Sequence, residues 1–132
     1  MLSIGLLLIR IVVGLTFMAH GAQKLFGWFG GHGIQGTGGF FESIGIKPGK
    51  PMAAAAGLSE FIGGLLLVVG LFTPFAGIIL AGTMIVAIFK VHAANGFWAT
   101  SGGYEYNLIL LVVAIAFAFM GAGNYAIDAL FF

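Results

Sequence analysis

Four long windows free of almost all charge constrain this chain more than anything else in it. They cover residues 2–20, 52–72, 75–94 and 104–120. A helix must run for about 20 apolar residues to cross the hydrocarbon core of a bilayer, and each window is close to that length. Charged residues make up 7% of the 132 positions, and the mean hydropathy is +1.14. A soluble domain carries roughly 25% charged residues, so a water-facing bundle would lack the polar faces it needs. The reading is an all-α fold: residues 1–132 form one integral membrane domain, a four-helix transmembrane bundle whose first partner is the lipid bilayer. Small residues recur along the windows (Gly57, Gly63, Gly64, Gly77, Ala81 and Gly82). Inside a membrane such residues let helices pack backbone to backbone.

The second and third windows meet at Thr73-Pro74, which leaves room only for a tight helical hairpin. Pro74 suits the first turn of a helix, where its missing N–H costs nothing. The N-terminal window lacks the basic n-region of a signal peptide, and Arg10 interrupts the apolar run. It reads as the first span.

Four crossings put segments 21–51 and 95–103 on one side of the membrane and both termini on the other. Lys24, Lys47, Lys50 and Lys90 lie on the loop side or beside it. The excess of lysine there predicts cytoplasmic loops in a cell membrane. The first segment is a Gly-rich loop between helices 1 and 2, expected to fold back over the mouth of the bundle. Its aromatics Phe26, Trp28, Phe29, Phe40 and Phe41 suit the headgroup level. Gly31, Gly33 and Gly36 match a G-x-G-x-x-G pattern. A dinucleotide fingerprint requires a preceding strand and a βαβ unit, and a membrane helix precedes this one, so the match is set aside.

Other classes fall away quickly. A net charge of +1 gives no field for nucleic acid. No cysteine is present, which removes disulfides, thiol chemistry and thiolate-held metal clusters.

The ionisable residues inside spans are costly there and default to function. His20 closes the first window on the loop side. Glu60 lies in the loop-side half of the second. Lys90 and His92 end the third, and Glu105 with Asn107 begins the fourth. Tyr104 and Tyr106 flank Glu105, and Asn95, Phe97 and Trp98 adjoin it. The pattern predicts a polar pocket with aromatic walls near the loop-side interface. Arg10 sits deeper in the first window, and counting from the far side makes Arg10–Glu60 the expected ion pair.

Three stretches carry a resemblance to a known family: His20-Gly21-Ala22-Gln23-Lys24-Leu25-Phe26; Ala56-Gly57-Leu58-Ser59-Glu60-Phe61-Ile62-Gly63-Gly64; and Val91-His92 through Phe97-Trp98 with Gly102-Gly103-Tyr104-Glu105-Tyr106-Asn107. Together they resemble the DoxX family of small bacterial and archaeal membrane proteins, over essentially the whole chain. The resemblance implies a four-span fold and a membrane oxidoreductase activity of the kind linked to quinones, thiols and oxidative stress. The family residues fall here on His20, Lys24, Glu60, His92, Asn95, Glu105 and Asn107.

The expected function is then that of a membrane oxidoreductase component. It would bind a quinone, or a similar lipophilic redox molecule, in the loop-side pocket. Glu60, His20, His92 and Glu105 would carry protons, because an imidazole titrates near neutrality and can pass them on. Arg10, Lys24, Asn95, Trp98, Tyr104, Tyr106 and Asn107 would contact the ligand. Electrons would come from a donor protein or partner subunit, since nothing resembles a flavin or nicotinamide site. Metal held by His20, Glu60, His92 and Glu105, or haem between the two histidines, is a weaker variant without helical ligand spacing. The alternative class is non-enzymatic: an assembly factor, or a small-molecule carrier working as a homo-oligomer.

Overall fold

A computed structural model describes residues 1–131. Those residues are mostly helical, with no strand among them. Helix α1 runs Leu2–Phe26, α2 Gly33–Ser43, α3 Gly49–Val69, α4 Thr73–Ala87, α5 Glu105–Met120 and α6 Asp128–Phe131. Helix α4 continues through a π turn, Ile88–His92, and a 3-10 turn, Ala93–Asn95. Three stretches are long and apolar enough to cross a membrane: Leu2–Phe26, Gly49–Val69 and Thr73–Asn95. Helix α5 is equally apolar but has 16 residues, ~24 Å at 1.5 Å per residue.

Glycine sets the register between α1 and α3. A side chain on Gly64 would stand 2.5 Å from the Gly14 carbonyl oxygen, and one on Gly21 would stand 2.6 Å from that of Gly57. The two helices therefore run antiparallel with bare backbones touching twice, two turns apart. Gly63 gives Leu80 of α4 its place, and Gly77 lets α4 lie against Ala114 and Ala118 of α5. Between these crossings a core forms from Phe17, Leu67, Leu80, Met84, Leu110 and Phe117. Leu8, Val12 and Ile78 point outward and are more than half exposed, a surface that water would not tolerate and lipid would.

The segment read as a Gly-rich loop is largely helical. Residues 33–43 form α2 despite four glycines, because tertiary packing outweighs their poor helix propensity. Gly38 sits directly on the backbone of Gly49 and Lys50 at the start of α3, and any side chain there would collide with it.

Helix α3 stops at Gly70, whose φ of 72° is the left-handed cap that glycine adopts without steric cost. Pro74 falls in the first turn of α4, as its position in the sequence suggests. The N-terminus of α4 is capped from far along the chain: Asp128 accepts the N–H groups of Phe72 at 2.6 Å and Thr73 at 2.9 Å. The 121–131 segment is pinned beside it. Ile127 N–H reaches the Val69 carbonyl, Asp128 N–H reaches that of Gly70, and Arg10 Nη2 donates to the Tyr125 carbonyl at 2.6 Å.

Candidate functional site

Helix α1 delivers His20 and Lys24 on one face, four residues apart, with Gln23 between them and Ala22 buried. Antiparallel to it, α3 presents Ser59 and Glu60. Glu60 is 1% exposed, held among the glycines that bring the helices together. Lys24 Nζ stands 2.5 Å from Glu60 Oε1, an ion pair in close contact but without the alignment of a hydrogen bond. The lysine side chain keeps 25% of its surface accessible while the carboxylate has 2%. The pair thus spans the boundary between a buried acid and an accessible amine.

It opens onto a cavity of about 960 Å³. That is near the upper end of the roughly 300–1,000 Å³ typical of ligand pockets. Every one of α1 to α5 contributes to its wall. Tyr106 and Asn107 enter from the first turn of α5, and Tyr106 places its ring 5.9 Å from that of His20. Asn107 also donates to the Met84 sulfur at 3.7 Å, which fixes its amide. Helix α2 brings Phe40 and Phe41 across the mouth.

The π turn that ends α4 carries His92 to the same cavity. Such a widened turn often marks a functional position, because it rotates the following side chains off the regular helical stripe. His92 Nδ1 lies 2.8 Å from the Gly102 carbonyl. A carbonyl only accepts, so the proton is on Nδ1 and Nε2 is left as the exposed nitrogen.

Six of the residues singled out from sequence meet here: His20, Lys24, Glu60, His92, Tyr106 and Asn107 line the cavity. Five others lie outside that lining. Glu105 accepts the Ala99 N–H at 3.0 Å and so braces the loop before α5. Asn95 donates to Gly102 O at 3.2 Å, beside His92. Trp98 and Tyr104 each stack edge-on against Phe97, at 5.1 and 5.6 Å. These aromatics lock the loop to itself. Arg10 is the largest displacement from expectation. It pairs with the Tyr125 carbonyl at the far end of the molecule, and Glu60 has Lys24 as its partner instead. The set His20, Glu60, His92 and Glu105 does not converge, and no group of three or more metal-ligating side chains occurs among the described residues. Conversely, Gln23, Ser59 and Thr83 line the cavity without having been singled out. Ser59 and Thr83 are polar residues inside apolar windows and Gln23 lies just past the first, which was the available signal.

Long apolar helices around a mostly apolar chamber with a polar cluster on its wall suit a protein that sits in a membrane. The chain belongs to the DoxX family: the family model, described as DoxX, matches residues 5–93. A Bacillus subtilis protein named "Putative oxidoreductase CatD" is 36% identical over 130 residues, covering 98% of this chain and 89% of that one. The "Uncharacterized membrane protein Rv3486" of Mycobacterium tuberculosis is 31% identical, over 91% of this chain and 77% of its own length. The "Inner membrane protein YqjF" of Escherichia coli is 29% identical, over 97% of this chain and 92% of its own. No solved structure matches. The three spanning-length helices and these relatives point to a membrane protein of a prokaryote.

Proposed function

We propose that this protein is a membrane oxidoreductase component that binds a quinone or a similar lipophilic redox molecule in the cavity beside Lys24 and Glu60. In this reading α5 is the fourth span of a four-helix transmembrane bundle. Segments 21–51 and 95–103 face the cytoplasm, as their lysines suggest.

The single observation that carries the proposal is the Lys24–Glu60 pair set at the inner end of a large, mostly apolar chamber. The donor set fits a quinone head. Its carbonyl oxygens accept hydrogen bonds, and the Lys24 ammonium, the His20 imidazole and the Tyr106 hydroxyl are donors on the same wall. Reduction to the quinol adds electrons and turns each carbonyl oxygen into a hydroxyl. The electrons come from a donor protein, and the protons must reach those oxygens through the chain. Glu60 and His20 line the chamber and can hand them on, with Lys24 holding the carboxylate in place. His92, through its unprotonated Nε2, can accept a hydrogen bond from the hydroxyl that forms at the far oxygen on reduction. The relative named as an oxidoreductase lends support to this chemistry.

The test is mass spectrometry of an organic extract from protein purified in mild detergent, with Glu60→Gln prepared identically. Stoichiometric quinone in the wild type and its loss from the variant is the expected result. A clean extract from both, with the protein folded, overturns the reading and favours a carrier or assembly role.

A further inference from the structure

The cavity does not end at its polar wall. It continues along the outer face of α4, where Ile78, Gly82 and Val86 line it at successive turns, and along α3 at Met52 and Ala55. Ile78 is 63% exposed and Val86 53%, so this part of the chamber opens sideways, toward lipid. From Ile78 to Val86 the trough is ~12 Å long at 1.5 Å per residue.

Gly82 is the odd residue in it. Gly57, Gly63, Gly64 and Gly77 all abut another helix, and a side chain on any of them would collide within 3 Å. A side chain on Gly82 would meet nothing within 4 Å. A mid-helix glycine costs roughly 0.5–1 kcal/mol relative to alanine, and no contact among the described residues requires this one. The gap it leaves lies on the cavity wall, flanked by two aliphatic side chains.

We infer that the cavity admits its ligand sideways from the bilayer and that Gly82 leaves room for a long hydrocarbon tail, laid along α4 while the polar head meets Lys24 and Glu60. This rests on the proposed quinone-type reading and narrows it to tailed, membrane-dissolved ligands. A ring without a tail would leave the trough to lipid. A ligand with an isoprenoid or alkyl chain would fill both ends of one continuous chamber.

The experiment compares Gly82→Leu with the wild type in lipid nanodiscs. Equilibrium binding of an isoprenoid-tailed quinone and of its tail-less ring analogue is measured, and melting is recorded alongside. Because the position is open, the leucine variant should fold normally; Val86→Phe, one turn further along the trough, is the second obstruction. The expected result is a loss of about tenfold or more in affinity for the tailed quinone, with the tail-less analogue unaffected. Unchanged binding of both ligands in both variants overturns the trough and leaves the head-group site standing. Equal loss of both ligands at unchanged melting temperature also overturns it, because the obstruction would then act on the head. Absence of binding to the wild type removes the quinone reading itself, and the tail inference with it.

Discussion

Two buried charges sit in this small apolar protein, at opposite ends, and their surroundings differ in kind. Glu60 meets Lys24 at the wall of a large chamber, and the lysine remains partly accessible. Arg10 is fully enclosed, donates to the Tyr125 carbonyl, and has Asp128 as the countercharge it feels. Gly70 is bare of a side chain where the guanidinium lies. Around Arg10 every visible contact ties one segment to another: the start of α1, the turn after α3 and the 121–131 segment. Around Glu60 the visible contacts leave space. Burial of a charge alone therefore does not mark chemistry. What separates the two charges is the presence or absence of room beside them.

That contrast can be broken by substitution. Arg10→Ala should have the largest effect on stability, about 2–5 kcal/mol, through the cavity it opens and the hydrogen bond it removes. Chemical unfolding in detergent would read it. Unaltered unfolding, with loss of whatever the chamber binds, would reverse the roles assigned to the two ends. Asp128→Ala comes next. It strips the cap from two N–H groups at the start of α4, a loss of about 1–2 kcal/mol, and Asp128→Asn, which keeps an acceptor, should recover part of it. Glu60→Gln should have the smallest effect on unfolding, less than about 1 kcal/mol, because the partly exposed Lys24 can turn toward water. If it destabilises the fold as much as Arg10→Ala does, the Lys24–Glu60 pair is a structural strut.

How much of this was legible in the sequence depends on which physics each feature obeys. The apolar windows announced the long helices, since span length and hydropathy are local properties. Thr73-Pro74 announced the start of α4 for the same reason. The Arg10–Glu60 pair failed because depth was counted without side-chain direction. Gly14 lies level with Gly64, which puts Arg10 level with Val68, ~12 Å from Glu60 along the axis. Helical side chains also lean toward the N-terminus of their own helix. In an antiparallel pair that tilts Arg10 and Glu60 apart, and it tilts Lys24 and Glu60 together. Helix α2 was hidden by its glycines, and the contact that Gly38 makes with the start of α3 is visible only in three dimensions. Glu105, Trp98 and Tyr104 were near the site in sequence but turn to bracing the loop. A carboxylate that caps a turn looks the same in one dimension as one that lines a pocket.

The cap on α4 has a consequence for how the protein is made. Its carboxylate lies 55 residues downstream of the second N–H it receives, so the α3–α4 hairpin emerges and folds with that helix end open. Chains fold from the N-terminus as they are synthesised. Until Asp128 arrives the hairpin is held by its packing at Gly63 and Leu80 and by the contact of α3 with α1. Closing this end of the bundle is then a late event, in which Asp128 and the bond from Arg10 to the Tyr125 carbonyl fasten residues 121–131 onto helices made earlier. A chain stopped before residue 125 would carry the α3–α4 hairpin without that latch.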